Sequence, residues 1–276
     1  MRRRRRGGFF WLLMLALLVY AFIYSNTKVV LREYEVSSPD LPSAFSGTRA
    51  AVVSDTHGKF DQRTLDAVFD ADPDIILLAG DIIDDDSQIP AAADFVGSLV
   101  GRAPTYFVTG NHEWATDAAR EFISKLTLLG VHVMDARAEY FEKDGGRIVI
   151  AGLPDPTAHG DNPSPAAVLE ITKDDFVLLL SHRPADPDIF AEYGTDVIVS
   201  GHVHGGMVRL PGLGGIIGPG REFLPKLDGS RAYKGANGST LIVSRGLAGV
   251  KFYSTQFHFP RLFNPREVVL ITLTKG

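Results

Sequence analysis

Residues 50–57 read AAVVSDTH and residues 75–84 read IILLAGDIID. Each is an apolar run of strand length that gives way abruptly to metal-ligating side chains, Asp55 and His57 in the first, Asp81 and Asp84 in the second. The same grammar recurs down the chain. Tyr106–Thr109 runs into Gly110-Asn111-His112-Glu113, Phe176–Ser181 into His182, and Val197–Ser200 into Gly201-His202-Val203-His204. Further strand-length runs stand at Ile148–Ala151, Thr240–Ser244 and Val268–Leu273, with helix-length patterns at Gln62–Phe69, Ala91–Val100 and Thr116–Leu129 between several of them. Strands alternating with helices predict an α/β sheet protein. Runs so uniformly apolar predict strands covered on both faces.

In open α/β sheets the working crevice lies beyond the carboxyl ends of the strands. Five of the eight histidines fall at such ends. Side chains two apart on an extended segment share a face, so Asp55 with His57, and His202 with His204, are placed to enter one crevice together. Taken singly, each motif has a plain structural reading as a turn, a cap or a buried hydrogen-bonding group. Five strand ends offering hard or borderline ligands, and none offering an apolar residue, point jointly to metal. His112-Glu113 begins a zincin-like pattern, but Thr116 stands where a second histidine is required. Neither a phosphate-binding Gly-x-x-x-x-Gly-Lys loop nor a Gly-x-Ser-x-Gly elbow is present. His132, His159 and His258 are read as structural or surface residues.

The 276 residues carry 28 Lys+Arg against 33 Asp+Glu, a net charge of -5. Residues 1–27 hold five arginines and no acid, so the remainder has 23 basic against 33 acidic residues, a net of -10. An acidic body argues against a nucleic-acid partner. With no cysteine, thiol catalysis, disulfides and Cys-ligated metal are excluded. Arg2–Arg6 precede an uncharged stretch from Gly7 to Thr27, close to the ~20 residues that cross a bilayer core. Weak cleavage signals favour an uncleaved anchor, single-pass in the cell membrane. The arginines would remain cytoplasmic and the body extracytoplasmic. The expected organisation is an anchor over 1–30, an extended juxtamembrane linker over 31–48 and one domain over 49–276. Residues 205–222, rich in glycine, are read as an irregular loop. Phe252, Tyr253, Phe257, Phe259, Leu262 and Phe263 form an aromatic stretch, read as ordinary packing with a membrane-facing lip as the rival.

The ordered set Asp55-x-His57, Gly80-Asp81-x-x-Asp84, Gly110-Asn111-His112-Glu113, His182 and Gly201-His202-x-His204 resembles the calcineurin-like metallophosphoesterase superfamily. Within it, the chain is similar to the bacterial membrane-anchored YkuE/YaeI-like branch, a similarity that continues through Gly205-Gly206 and Val243–Gly246. Met207, Val203 and Ala248 depart from that branch's pattern, at positions assigned to the pocket rim or loop. The resemblance implies a sandwich of two mixed sheets flanked by helices, preceded by one transmembrane helix. It implies two divalent ions (Mn, Fe, Zn, Co or Ni), one on Asp55, His57, Asp81 and His204, the other on Asp81, Asn111, His182 and His202. It further implies His112 as general acid held by Asp84, and hydrolysis of a phosphomonoester or phosphodiester by a hydroxide bridging the ions. A lipid-linked or envelope ester is one expectation for the substrate. The rivals are a non-catalytic scaffold of the same fold and a cytoplasm-facing hydrolase of a lipid-precursor pyrophosphate.

Overall fold

A computed structural model describes residues 2–158, 175–191, 194–220, 222–249 and 259–276. After helix α1 (Arg2–Thr27), two six-stranded sheets make the body. The first sheet contains β1 (Val29–Ser38), β2 (Arg49–Val53), β3 (Ile75–Leu78), β4 (Thr105–Phe107), β5 (His132–Val133) and a long last strand, β14 (Arg266–Lys275). Their spatial order is β1-β14-β2-β3-β4-β5, and only the β14–β2 pairing is antiparallel. The second sheet contains β6 (Arg137–Lys143), β7 (Gly146–Leu153), β8 (Val177–Ser181), β9 (Val197–Ser200), β12 (Tyr233–Lys234) and β13 (Thr240–Val243). Its order is β12-β13-β9-β8-β7-β6, parallel except at the two edges. A small hairpin of β10 (Arg209–Leu210) and β11 (Gly214–Gly215) stands apart.

The apolar strands follow from burial on both faces. Val52, Leu77 and Tyr106 face Ile150, Leu178 and Val199 of the other sheet in one shared core. On its outer face the first sheet is covered by α2 (Gln62–Asp70), α3 (Ile89–Val100) and α5 (Ala119–Leu128), through Val68, Phe95, Val96, Phe122 and Leu126. Short α4 (Asn111–Trp114) and α6 (Pro187–Ala191) complete the α-helices among the described residues, beside 3-10 turns at Ser43–Phe45 and Asp86–Gln88. Every residue of Ala50–Val53 and Ile75–Leu78 is fully buried. At ~25 cal/mol per Å² of apolar surface, such strands supply much of the drive to fold.

One expectation fails here. The segment 31–48, read as a linker, contains most of β1, paired in parallel with β14 over ten residues. Its charged residues Arg32, Glu33 and Glu35 mark an edge strand, while Val29 and Val36 face inward. Edge strands carry charge because it blocks further pairing. The glycine-rich 205–222 region is also more regular than expected, since it contains the β10–β11 hairpin.

Helix α1 is apolar from Gly8 to Thr27 and long enough to cross a bilayer, 20 residues being ~30 Å at 1.5 Å each. Most of its length stands clear of the body. Its last two turns do not: Ala21 and Ser25, on one face, are buried, and Asn26 exchanges hydrogen bonds with the backbone of Arg261 at 2.8 and 3.1 Å.

Candidate metal centre

The strand ends converge. Asp55 and His57 follow β2, Asp81 and Asp84 follow β3, Asn111 and His112 open α4 after β4, His182 follows β8, and His202 and His204 follow β9. Asp55, His57, Asp81, Asn111, His182 and His204 are all buried. Three groups of donor atoms lie within 4.8 Å of one another: Asp55, His57, Asp81 and His204; Asp81, His182 and His202; and His57, Asp84 and His112. Asp81 belongs to the first two.

The backbone is bent to achieve this. Asp55, His57, Asp81, His202 and His204 all sit at positive φ, between 46° and 69°. Side chains other than glycine's resist that region, at a cost of the order of 1 kcal/mol each. Five such residues around one cavity mark a site whose geometry is imposed by its surroundings. Two glycines are required beside them. A Cβ on Gly110 would collide with Asp81 Oδ1, and one on Gly201 would stand 2.5 Å from Asp55 Oδ2.

Hydrogen bonds fix which ring nitrogen faces inward. His182 Nδ1 bonds the carbonyl of Ala79 at 2.7 Å, His204 Nδ1 that of Ala248 at 3.2 Å, and His57 Nδ1 the carboxylate of Asp84 at 2.6 Å. Each therefore turns Nε2 to the cavity, as second-layer partners do for metal-bound imidazole. His57 Nε2 and His204 Nε2 come to 3.2 Å, and His182 Nε2 lies 3.1 Å from Asp81 Oδ2. Asp84 Oδ1 also takes His112 Nδ1 at 2.6 Å, so one carboxylate holds two imidazoles. The His57 and His112 rings meet edge to face at 4.5 Å.

These donors fit divalent cations on three observations. Buried Asp55 Oδ2 has no hydrogen-bond partner, a costly state for a carboxylate oxygen unless a cation fills it. Imidazole with carboxylate is a borderline-to-hard donor set. Charge points the same way. Burial opposes a charged ring at His57, but the Asp84 bond and the Asp81 and Asp55 charges outweigh it and raise its pKa to about 9. Burial likewise opposes charge on His182, and Asp81 raises it to about 10. Burial and the neighbouring His182 push His202 down to about 3. The acids thus draw positive charge into the cavity, which protons supply when nothing else does.

Further residues support this arrangement without a role legible in the sequence. Glu113 accepts four backbone N–H groups, those of Asp81, Ile82, Ile83 and Gly110, at 2.6–3.1 Å, and so ties the β3 and β4 ends together. Fully buried Asn264 donates to the carbonyls of His204 and Met207, and buried Arg261 donates to those of Ala248, Arg245 and Asn264. Val203, Met207 and Ala248 lie in the loops after β9 and β13, and all three are buried, Val203 in the core outside the second sheet. An apolar residue beside a ligand is turned into the body when the ligand itself turns to the cavity. His132 bonds Glu139 at 2.7 Å and stacks on Tyr106, a structural role. His159, His258, Phe252, Tyr253 and Phe257 lie outside the described residues.

Two packed mixed sheets with carboxylates and imidazoles gathered at their strand ends are the arrangement of the metallophosphoesterase class. The chain belongs to the calcineurin-like phosphoesterase family, whose profile matches residues 48–206. It is 26% identical over 211 residues to the zebrafish (Danio rerio) "Transmembrane protein with metallophosphoesterase domain", covering 70% of this chain and 48% of that protein. It is 28% identical over 146 residues to "Phosphodiesterase YaeI" of Escherichia coli strain K12, covering 51% and 53%. Similarity to the "Uncharacterized metallophosphoesterase YkuE" of Bacillus subtilis strain 168 is 29% over 199 residues, covering 68% of each. The chain spans about half the length of the first two relatives. In fold it resembles the crystal structure of TT1561 from Thermus thermophilus, with a TM-score of 0.51 at 11% identity over 73% of this chain and 91% of that one.

Proposed function

We propose that the protein is a binuclear metal-dependent phosphohydrolase acting on a phosphomonoester or phosphodiester. The observation that carries this is the position of Asp81, shared by the Asp55–His57–His204 group and the His182–His202 group. A carboxylate common to two donor sets is what a pair of cations requires. Asp55, His57, Asp81 and His204 would hold one ion; Asp81, Asn111, His182 and His202 the other. Such a pair supplies Lewis-acid charge for a phosphoryl group and a water nucleophile near neutral pH.

The chain's own contribution centres on His112. It is 7% exposed, so one edge of its ring reaches the opening while Nδ1 is held by Asp84. Asp84 fixes the ring's orientation and offers a charge partner to its cationic form, in which Nε2–H can deliver a proton to the departing ester oxygen. Buried His182 and His204, oriented by main-chain carbonyls, cannot swing to take that role.

We infer further that the ester is presented at the membrane surface, as a lipid-linked or envelope substrate would be. The last turn of α1 packs on the loop that supports His204, which sets the cavity towards the membrane end of the body. Arg2–Arg6 before the span favour a cytoplasmic N-terminus and an extracytoplasmic body.

Hydrolysis of bis-nitrophenyl and nitrophenyl phosphate, stimulated by manganese, tests the reading. Asp81→Ala should abolish it, and His112→Ala should lower kcat by about 10²–10⁴. Absence of turnover with manganese, zinc, cobalt, nickel and iron alike would overturn it in favour of a non-catalytic scaffold.

A further inference from the structure

The chain that leaves the metal centre through Gly205 and Gly206 enters a region with no obvious place in catalysis. Residues Arg209–Gly215 form the β10–β11 hairpin, and beyond it Ile217 and Phe223 pair in an antiparallel bridge. The tips are apolar and uncovered: Leu213 is 58% exposed and Phe223 72% exposed, with Leu210, Ile217 and Leu224 also exposed. A soluble surface seldom gathers so many large apolar side chains in one loop region without a partner for them.

What lies beside the first tip identifies the partner. A cavity of about 730 Å³ separates the β10–β11 hairpin from α1; it is bounded by Leu17, Tyr20 and Tyr24 on the helix and by Leu210, Leu213 and Phe263 on the body. The helix side of the cavity runs from Leu17 to Ser25, ~12 Å along a largely apolar helix, and reaches ~15 Å from the helix end. Whatever surrounds α1 at that depth also surrounds the hairpin tip. Arg231, exposed, also lines this cavity and offers a charge partner to lipid phosphate.

The helix cannot swing away from this position as a loose tether could. Ser25 Oγ accepts the backbone N–H of Asn264 at 3.0 Å, and Asn26 exchanges two bonds with Arg261. Lys59 Nζ and Arg63 close the helix end by donating to the carbonyls of Asn26 and Thr27 at 2.8 and 2.9 Å. Body and helix therefore move as one piece, and the tilt of the body on the bilayer is set by the helix.

We propose that residues 210–220 and 222–224 form a second membrane contact, the Leu213 tip inserted among the lipids beside α1 and the Phe223 tip inserted with it. The Leu224 N–H bond to the Ile216 carbonyl at 2.8 Å ties the Phe223 tip to the hairpin base, and lipid fills the cavity between helix and hairpin. Amphipathic surface elements bury apolar side chains just below the headgroups in this way. The seating holds the cavity mouth, close in sequence to the ligand His204, at the level of the lipid phosphates. It is independent of whether the centre hydrolyses anything and requires only that α1 spans the bilayer.

The absence of cysteine makes the test clean. Single cysteines at Leu213, Phe223, Leu15 and Glu142 are spin-labelled in the full chain, reconstituted into vesicles of phosphatidylcholine and phosphatidylglycerol. Leu15, within α1, reports lipid. Glu142, on β6 beside the turn that leads into the amino end of β7, reports water. The labels at 213 and 223 should be relaxed more by oxygen than by an aqueous nickel chelate, as at 15 and opposite to 142. Nickel accessibility at either rim position equal to that at 142, with 15 still in lipid, would overturn the seating while leaving the anchor intact. Nickel access at 15 as well would overturn both.

Discussion

The side-chain amide of Asn264 donates to the carbonyl oxygen of His204 at 2.7 Å, and its backbone N–H donates to Ser25 Oγ at 3.0 Å. One fully buried residue thus joins the last turn of α1 to a candidate metal ligand. Arg261 repeats the connection. It donates to the same Ala248 carbonyl that takes His204 Nδ1, while its backbone N–H is held by Asn26. The end of α1 belongs physically to the second layer of the centre.

Asn264→Ala should therefore act at a distance from the cavity. It strands the buried carbonyls of His204 and Met207, at about 1–3 kcal/mol for each acceptor left unpaired. Loss of a partner that orients a ligand typically lowers metal affinity about 10- to 100-fold. Calorimetric titration of the metal-free full chain with zinc should show that loss. Ser25→Ala should give a smaller fall, because it removes only the helix's end of the chain of bonds. An unchanged affinity in Asn264→Ala would separate the anchor from the centre.

Asp84 supports two imidazoles, so its removal should cost more than the loss of either one's function alone. His112→Ala is expected to lower kcat and leave metal affinity nearly unchanged. Asp84→Ala should lower kcat similarly and, by releasing His57, also weaken metal binding by about 10-fold. Measuring kcat and zinc affinity on both variants distinguishes this from a carboxylate that serves His112 only.

Glu113 is a structural counterpart with a sharper signature. Its two oxygens each receive two backbone N–H groups. Glu113→Gln replaces one oxygen by an amide that itself donates, so two acceptances are lost and two donors face a third. About 3 kcal/mol of destabilisation is expected, since bonds to a charged acceptor are worth about 1.5–3 kcal/mol each. A lowered urea midpoint with an unchanged slope would report it.

What the sequence revealed and what it concealed divide along physical lines. Strands buried on both faces, such as Ile75–Leu78, must be apolar throughout and are legible as runs. The candidate ligands Asp55, His57, Asp81, His202 and His204 stand at the ends of those runs, so their convergence follows from strand order. β1 is an edge strand with one solvent face, and its Arg-Glu-Tyr-Glu core reads as a linker. Glu113 was legible as a member of the Gly110–Glu113 motif but without a role, because its partners are backbone groups with no sequence identity. Asn264 and Arg261 are buried polar residues most of whose partners are carbonyls distant in sequence, as far as 60 positions away. The second bond of Asp84, to His57, depends on two loops meeting, which composition does not encode.

The pairing of Asp61 with Arg266 makes a prediction about acid stability that does not involve the metal site. Asp61 caps α2 through Thr64 and receives the buried Arg266 guanidinium at 2.7 and 3.2 Å. Partial burial pushes its carboxyl up, but the Arg266 and Thr64 bonds outweigh that and hold it below the ordinary 3.8. A depressed folded-state pKa means the unfolded chain binds its proton first as pH falls. The pair's contribution is therefore fully present above 3.8 and is lost as pH drops through the folded value. Asp61→Asn removes the charge at every pH. The gap in urea midpoint between the native chain and Asp61→Asn should stay constant from neutral pH down towards about 4 and close below it. A gap that persists unchanged in acid would show that Asp61 acts through its cap alone, with Arg266 contributing no charge-dependent stability.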